Sequence, residues 1–447
     1  MPNFRKDTVK SRRFPRHVLV YGGALALLLA LNQTEKASAW GGDQAQADER
    51  EALRRMNEQI QELQAKVKEL EARLNGVTGS TPHAAVESST TANVPMEATS
   101  LPASPPSAAQ ESEENNPVPR VLLHMFGDVG YEASGQKGVT NSFYIGTLDL
   151  LMTGALTDRV SILGEVLFTP KVDNSFGVDV ERLLLQYKQN DYFNFSVGRF
   201  HSSIGYYNTA FHQGAWFQTT VDRPFMYAFD DQGGFLPLQE VGVTIDGQIP
   251  SGNLGLNYVA ELSNGSQHLL GADPAQNFRD TNNGKASNFA VYARPRWLPG
   301  LETGVSVFHD HITYTDNHNY AEIISAVHLV YTNSNYEFLN EGLLVRHSGD
   351  NAAQPGVFHT PGFYTQFSRR FGKYRPYYRY SYVNAGVAEP IYGNPADGPI
   401  VGRRNGSSLG LRYDLNDHSA VKLQYDRLSQ RGVPNFNQLL TQFSFAF

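Results

Sequence analysis

The chain has 447 residues with 37 basic and 44 acidic side chains, and only 18% of its residues are charged. It contains no cysteine, which excludes a disulfide framework, a thiolate zinc site and a cysteine nucleophile. No apolar run reaches the roughly 20 residues of a membrane-spanning helix, so a polytopic helical membrane protein is also excluded. The 23 Tyr, 26 Phe and 40 Gly residues favour many short strands.

Residues 1–39 have the pattern of a secretory signal peptide. A basic stretch from Arg5 to Arg16 precedes an apolar run from Val18 to Leu31, and Ala37-Ser38-Ala39 follows as a cleavage pattern. We expect the mature chain to begin at Trp40; the alternative is an uncleaved membrane anchor. Cleavage would remove seven basic and two acidic residues and leave 30 against 42. Such an acidic surplus speaks against nucleic acid as a partner.

Residues 40–76 are predicted to form a short α-helical coiled coil. Apolar residues alternate at spacings of three and four, which is the a/d pattern of a heptad seam. The seam consists of Leu53, Met56, Ile60, Leu63, Val67, Leu70 and Leu74. A helix this short is marginal alone in water, so the seam predicts self-association or packing against the rest of the chain. Two alternatives stay open, namely a lone solvated helix and a two-stranded rather than three-stranded coil.

Residues 77–119 differ sharply in composition from their neighbours. They are rich in Ser, Thr, Ala and Pro and contain no aromatic residue, Lys or Arg. Such a stretch cannot bury enough apolar surface to fold, so we expect an extended linker.

Residues 120–447 show alternating polar and apolar positions, which predict an all-β chain of about sixteen antiparallel strands. The longest connections, 202–238, 264–286 and 386–404, alternate with tight turns, as in a transmembrane β-barrel. An even strand number places both barrel ends on the short-turn side, together with the coil. The candidate strands lie near 120–131, 142–155, 159–169, 178–189, 192–201, 239–249, 253–263, 287–297, 301–314, 320–332, 335–347, 359–370, 373–385, 405–414, 418–429 and 437–447.

The alternation also predicts which face meets which environment. In the last strand Leu439 and Phe443 share one face, whereas Gln442 and Ser444 share the other. In a barrel of this size, the apolar face contacts lipid and the polar face lines a lumen.

The last strand ends in the alternating aromatic residues Phe443, Phe445 and Phe447. This ending resembles the terminal signal by which the barrel-assembly machinery inserts bacterial outer-membrane barrels. Over residues 120–447 the chain resembles the bacterial outer-membrane porin superfamily, and the coil ahead of the barrel is similar to phosphate-selective-type porins. The resemblance implies a homotrimer in outer-membrane lipid, with the coil in the periplasm. It also implies passive diffusion of small hydrophilic solutes or ions, without enzymatic activity or a cofactor.

The long connection 202–238 follows the fifth strand, as does the loop that narrows the lumen in porins. Its many aromatic residues would expose a large apolar surface to water, so we expect it to fold inward; the alternative is a surface loop. The predicted constriction residues are Asp222, Arg223, Asp230 and Asp231. The predicted wall residues are Arg182, Glu165, Arg370, Arg375, Arg379, Arg412 and Lys422.

Acids on the loop and bases on the wall would create a transverse field across a narrow pore. We expect the three Asp residues of the loop to face Arg375, Arg379 and Arg412. Alternatively, the wall bases only pair with lumen acids, as Arg182 would with Glu165. The loop has one Arg and no Lys, which speaks against phosphate selectivity.

Other functions have weaker support in the sequence. His309-Asp310-His311 places two imidazoles on one strand face but lacks a third ligand, so no metal site is predicted. No nucleophile motif, phosphate loop or dinucleotide fingerprint is present. The alternatives are an anchoring protein that links the membrane to the cell wall through its coil, and an outer-membrane hydrolase.

Overall fold

The computed structural model describes most of the chain from Val121 to Phe447. The described ranges are 121–171, 173–211, 214–228, 234–266, 278–280, 282–313, 319–349, 356–393 and 401–447. The predicted signal peptide, coiled coil and linker lie outside these residues, and so do Asp230 and Asp231.

The described residues form sixteen antiparallel strands that close into one barrel. Each strand pairs with its neighbours in the chain, and β1 pairs with β16 to close the barrel. The strands are β1 (Val121–Ser134), β2 (Ser142–Ala155), β3 (Val160–Pro170), β4 (Phe176–Asn190), β5 (Phe193–His201), β6 (Gln239–Ile249), β7 (Leu256–Ser263), β8 (Ala286–Ala293), β9 (Leu301–Thr313), β10 (Asn319–Thr332), β11 (Tyr336–Gly349), β12 (Gly356–Arg369), β13 (Tyr374–Asn384), β14 (Arg403–Asn416), β15 (Ser419–Gln430) and β16 (Val433–Ala446). The predicted fold class is therefore confirmed.

Two strands are three residues shorter than predicted, for reasons that lie in their turns. The predicted strand 287–297 ends at Ala293, because Pro295 has no N–H to donate to a ladder. The predicted strand 253–263 begins only at Leu256. A 3₁₀ turn, Gly252–Leu254, precedes it, and Gly255 is left-handed with φ of 59°.

Short helices occur only in the connections of the described residues. In the connection between β5 and β6, α1 spans Tyr207–Phe211, α2 spans Gly214–Phe217, and a 3₁₀ turn spans Phe225–Tyr227. Among the described residues, no helix has the length and apolar character needed to cross a membrane.

The two ends of the barrel differ in their connections. The end that holds Val121 and Ala446 carries tight turns such as 191–192 and 417–418, and we call it the turn end. The opposite end, here called the mouth end, carries the long connections 202–238, 264–285 and 385–402. The predicted separation of short turns from long loops is therefore present in the structure, except that the two-residue turn 431–432 lies at the mouth end.

Side chains alternate between an outward and an inward face. Leu409 and Tyr378 are exposed on the outward face, whereas their strand neighbours Ser408 and Arg379 are buried on the inward face. In β16, Phe443 is outward while Gln442 and Ser444 are buried. This is the sense that the sequence alternation predicts.

The inward face is not polar throughout, which differs from the simple alternation. In β9–β12 the inward positions include Phe308, Ile324, Val330, Leu339 and Leu343, all of them buried. They pack against aromatic side chains of the connection 202–238 in one apolar cluster. The connection 202–238 therefore covers part of the inward face of these strands, which explains why apolar residues occur there.

The last residue of the chain takes part in closing the barrel. The Met125 N–H donates to the Phe447 carbonyl at 2.7 Å, and the Phe447 N–H donates to the Met125 carbonyl at 3.0 Å. The Phe447 side chain is 64% exposed and stacks 6.4 Å from the Phe445 ring. Phe447 thus extends the β1–β16 seam by one residue pair.

Deleting Phe447 should lower the amount of folded barrel severalfold in the outer-membrane fraction of a Gram-negative host. Both hydrogen bonds to Met125 disappear, and the terminal aromatic residue that the resemblance identifies as the insertion signal is lost. The measurement is the heat-modifiable band on a denaturing gel of membrane fractions. Phe447→Tyr keeps the backbone and the aromatic ring and serves as the control. Equal amounts of folded protein from the deletion and the wild type would contradict the prediction.

Candidate functional site: a loop inside the barrel

The connection 202–238, here called the inner loop, leaves and re-enters the barrel wall at one point. The Ser202 N–H donates to the Leu238 carbonyl at 3.0 Å. The Asn208 amide donates to the Ser202 carbonyl at 2.9 Å and to the Leu238 carbonyl at 2.8 Å. One buried Asn therefore ties the first and last residues of the inner loop together.

Between these ends the inner loop contacts opposite sides of the barrel. The Ser203 N–H donates to the Glu261 carboxylate of β7 at 3.0 Å. The Val221 N–H donates to Oε1 of Gln424 in β15, also at 3.0 Å. Strands β7 and β15 lie half a turn apart in the sixteen-stranded barrel. The inner loop therefore crosses the interior of the barrel.

Glu341 of β11 accepts hydrogen bonds from two segments of the inner loop. Its Oε1 accepts from the Tyr207 N–H at 3.0 Å and from the Tyr364 hydroxyl at 2.6 Å. Its Oε2 accepts from the Tyr206 N–H at 2.6 Å and from the Tyr227 hydroxyl at 2.7 Å. The residue is only 4% exposed, and a buried carboxylate is stable only with such donors. Glu341 thus fixes both α1 and the later 3₁₀ turn to the wall.

Aromatic stacking supports the same region. The Tyr207 ring lies 5.3 Å from the Tyr227 ring in a stacked arrangement and 5.8 Å from the Tyr364 ring edge-on. Burial raises the pKa of Tyr207 and of Tyr227, so both hydroxyls stay protonated. The Tyr227 hydroxyl therefore remains a hydrogen-bond donor to Glu341 over the physiological pH range.

Gly205 lies where the inner loop turns towards Glu341, in a position that disfavours residues with a side chain. Its φ is +74°, a left-handed conformation. An added Cβ would lie 2.1 Å from the Tyr227 hydroxyl oxygen and 2.4 Å from Oε2 of Glu341. A side chain at this position would separate the two groups that hold the inner loop to the wall.

Gly205→Ala should therefore lower the stability of the folded barrel by about 3 kcal/mol. Left-handed backbone costs a residue with a Cβ about 1–2 kcal/mol, and a displaced buried hydrogen bond costs about as much again. The measurement is urea unfolding in detergent or lipid. Gly252→Ala is the matched control, because Gly252 has φ of +61° and no atom within 4 Å of an added Cβ. If the two variants lose equal stability, the close approach at Gly205 has no energetic role.

On β14 and β15, basic residues of the wall donate hydrogen bonds to backbone carbonyls of the inner loop. Arg412 Nη1 donates to the carbonyls of Trp216 at 2.6 Å and Gln218 at 3.0 Å, and its guanidinium lies 4.7 Å from the Trp216 ring. Lys422 Nζ donates to the Thr220 carbonyl at 3.0 Å. Both cations are buried. They anchor α2 and the following residues to β14 and β15.

Asp222, near the middle of the inner loop in sequence, forms an ion pair with Arg379 of β13. Arg379 Nη1 also donates to Oγ1 of Thr220 at 2.8 Å and to the Asp222 carbonyl at 2.6 Å. Nε2 of Gln424 donates to the Asp222 carboxylate at 2.8 Å. The Asp222 side chain is 43% exposed but that of Arg379 only 2%. The carboxylate is thus the accessible half of the pair.

Of the three bases predicted to face the loop acids, Arg379 pairs with Asp222, and the other two have different partners among the described residues. Arg375 lies 3.9 Å from Glu337 on β11, and Arg412 lies 2.7 Å from Asp414, two residues along its own strand. Alternation in sequence gives the face of a residue but neither its height in the barrel nor its nearest acid. Asp230 and Asp231 lie outside the described residues.

The other predicted residues have these surroundings. Arg182 Nε lies 2.5 Å from the Glu165 carboxylate on the neighbouring strand, and Arg370 lies 2.8 Å from Asp414 near the turn end. Arg223 is buried with its guanidinium 5.8 Å from the Tyr207 ring, and burial lowers the pKa of Arg223. Arg223 therefore does not lie on the exposed side of the inner loop.

A second long connection, 385–402, contacts the inner loop at the mouth end. The imidazole of His347 lies 2.6 Å from Glu389 of this connection and 2.7 Å from Glu322 of β10. The Tyr392 hydroxyl contacts Glu322 at 2.8 Å and the Phe235 carbonyl at 3.0 Å. These contacts join the two connections above β10 and β11.

Several of these residues were not singled out from the sequence. Glu337 and Glu341 occupy inward positions of β11 four residues apart, and the Thr219 hydroxyl donates to Glu337 at 3.0 Å. Two acids on the inward face of one strand, where Leu339 and Leu343 alternate with them, were the available signal. The pairing of Gln424 with the inner loop leaves no comparable signal in the sequence.

The histidine pair near the mouth end of β9 does not form a metal site with Asp310. The rings of His309 and His311 lie 4.8 Å apart, while the side chain of Asp310 is buried on the opposite face. Within the described part of the chain, no group of three or more His, Cys, Asp or Glu side chains has the arrangement of a metal site.

Comparisons with known proteins agree with this architecture. No protein-family model matches the chain, and no curated protein matches it. Among solved structures, an anion-selective porin from Comamonas acidovorans is similar at 11% identity with a TM-score of 0.53, covering 74% of this chain and 100% of that one.

Two further structures show the same likeness. Salmonella typhi OmpF in complex with daunomycin has 12% identity and a TM-score of 0.51, over 75% of this chain and 100% of that one. The outer membrane channel DcaP of Acinetobacter baumannii has 10% identity and a TM-score of 0.50, over 75% and 99%. At these identities the likeness concerns the fold. The described chain has the closed sixteen-stranded barrel fold of bacterial outer-membrane porins.

Proposed function

We propose that this protein is an outer-membrane channel for passive diffusion of small hydrophilic solutes or ions, narrowed by the inner loop. The observation that carries the proposal is the crossing of the barrel interior between Glu261 of β7 and Gln424 of β15. A segment in that position reduces the free cross-section of the barrel lumen and brings Asp222 next to a permeating solute or ion.

The energetics of the inner loop support a permanent constriction. It is held by carboxylate bonds at Glu341 and by cation-to-carbonyl bonds from Arg412 and Lys422. Hydrogen bonds to charged groups each contribute about 1.5–3 kcal/mol, so several together favour one fixed position. A fixed constriction fits size-limited diffusion.

The test is single-channel recording of the purified full-length chain in a planar bilayer. The expected result is discrete conductance steps that scale with salt concentration. A heat-modifiable barrel that inserts without any steps would contradict a channel and would favour the anchoring role. The same preparation incubated with ester and peptide substrates tests the hydrolase alternative, and a channel leaves them intact.

We further propose a homotrimer whose barrels are joined through the linker to a coiled coil in the periplasm. The heptad seam from Leu53 to Leu74 supports self-association, and the number three comes from the resemblance to porins.

Replacing Ile60 and Leu63 by Asp should abolish association through the coil, because each charge would lie in the apolar seam. The measurement is chemical crosslinking of the residue 40–119 segment within the full-length protein, read as the fraction of crosslinked oligomer. Gln61 and Ala65, at the b and f positions, are replaced by Asp in the control. Crosslinking that yields only monomers of the wild type would contradict self-association.

A further inference from the structure

A recess lies in the inward face of the barrel wall, between the inner loop and strands β7–β10. Val259, Ala290 and Ser306 are small register partners across β7–β9 and form its floor. The Gly205 N–H donates to Oγ of Ser306 at 3.2 Å, so the inner loop forms the opposite side. This cavity, here called the wall recess, has a volume of about 30 Å³. One water needs at least about 10–15 Å³ of such a cavity, so the wall recess has room for about two water-sized groups.

Two larger side chains border the wall recess towards the turn end. Tyr292 of β8 and His328 of β10 are both register partners of Gly304 in β9. An added Cβ at Gly304 would lie 2.6 Å from Cβ of Tyr292 and 2.7 Å from Cε1 of His328. The absence of a side chain at Gly304 therefore allows these two residues to approach each other at the edge of the wall recess.

The imidazole of His328 lines the wall recess and is buried, with 6% of its side chain exposed. Among the described residues, Nε2 of His328 has no hydrogen-bond partner. The nearby Glu302 carboxylate lies 3.6 Å from it, which is too long for a hydrogen bond. Buried polar atoms are nearly always hydrogen-bonded, and a group bound in the wall recess can supply the partner.

The charges at the wall recess compensate each other. Nε of Arg294 donates to the Glu302 carboxylate at 2.8 Å, and both residues line the wall recess. An anion in the wall recess would meet Glu302 and a cation would meet Arg294, so the pair favours a neutral ligand. The Arg294 side chain is 35% exposed, which leaves this edge of the wall recess open to water.

Hydroxyl groups complete the lining and indicate the chemistry of the ligand. Tyr206, Thr209 and Ser306 each place a residue with a hydroxyl in the lining of the wall recess. A hydroxyl both donates and accepts, as does a hydroxyl of a ligand. Two hydroxyl oxygens on adjacent carbon atoms lie about as far apart as two hydrogen-bonded waters. A vicinal diol therefore matches both the size and the polarity of the wall recess.

We propose that the wall recess binds two adjacent hydroxyl groups of a small neutral polyol, with one of them bonded to Nε2 of His328. The proposal rests on the proposed function, because it names a class of solute for the channel. The remainder of the polyol extends past Arg294, where the wall recess is open to water.

The experiment is saturation-transfer NMR of the full-length protein in an amine-oxide detergent, which carries no sugar head group. The probes are propane-1,2-diol and propane-1,3-diol, two isomers of which only the first has adjacent hydroxyl groups. We expect the wild type to bind the 1,2-isomer more tightly, and His328→Phe to lower that affinity about fivefold through the loss of a hydrogen bond. His201→Phe is the matched control, because His201 is also a buried histidine beside a carboxylate, with Nε2 at 3.8 Å from Glu165.

A second pair of variants tests the open edge without touching a strand interior. Arg294→Gln removes the guanidinium that borders the wall recess and should also lower the affinity for the 1,2-isomer severalfold. Arg296→Gln is its control, because Arg296 is exposed in the same turn, two residues further along the chain. This pair keeps the proposal testable if His328→Phe yields no heat-modifiable barrel.

The outcomes separate this proposal from the proposed channel. Equal binding of the two isomers by the wild type, or equal losses in each variant and its control, would overturn the diol site, while conductance steps would still support the channel. Binding of neither isomer would show that the wall recess holds only water and would also overturn the diol site. Selective binding of the 1,2-isomer by a protein without conductance steps would support the diol site and contradict the channel.

Discussion

Replacing Glu341 by Gln should free the inner loop and destabilise the barrel by about 3 kcal/mol or more. The carboxylate accepts four hydrogen bonds, two from backbone N–H groups and two from tyrosine hydroxyls. A Gln side chain has one acceptor oxygen, and its NH₂ group would face two donors. Buried donors without an acceptor cost about 1–3 kcal/mol each. Both α1 and the 3₁₀ turn Phe225–Tyr227 should therefore detach from the barrel wall.

Two measurements report this change. The unfolding temperature of the heat-modifiable band should fall, and single-channel conductance should rise and become noisier as the inner loop leaves the lumen. Glu302→Gln is the control, because Glu302 is also buried and inward but forms its ion pairs with Arg294 and His328 of the wall. Unchanged conductance in Glu341→Gln with normal insertion would show that Glu341 does not position the loop.

The barrel could be predicted because its pattern is local. Strands such as β2 and β6 have the predicted bounds, since alternation and turn residues lie next to each other in sequence. The shortened β8 was also open to prediction, because Pro295 cannot donate a ladder hydrogen bond. Local rules of this kind require no knowledge of distant partners.

The partners of the inner loop could not be predicted in the same way. Arg412 is predicted to oppose the loop acids, and its partners among the described residues are loop carbonyls and Asp414. A backbone carbonyl exists at every residue, so the sequence gives no sign of which ones a cation will meet. The apolar inward face of β9–β12 was equally hidden, because its cover comes from residues about a hundred positions earlier in the chain.

Asp222→Asn should shift the selectivity of the channel towards anions without widening it. The substitution removes the exposed charge of the pair, while the Arg379 bonds to the Thr220 hydroxyl and the Asp222 carbonyl remain available. Its buried partner Arg379 then contributes a positive charge to the lumen that Asp222 no longer offsets. A partly exposed charge interaction worth about 0.5 kcal/mol corresponds to about a twofold change in the permeability ratio of K⁺ to Cl⁻. Reversal potentials in a KCl gradient measure this ratio.

Arg379→Gln should change conductance more than selectivity, whereas Asp222→Asn should change selectivity more than conductance. It removes the charge-assisted hydrogen bonds to Thr220 and Asp222 of the inner loop. Conductance should rise as these residues move away from β13. Asp426→Asn is the control for Asp222→Asn, because Asp426 also contacts Gln424 but is only 1% exposed. Selectivity should follow exposure, so Asp426→Asn should shift the reversal potential less. Equal shifts for the two Asp variants would mean that the summed charge of the wall, and not the accessible carboxylate at Asp222, determines which ions pass.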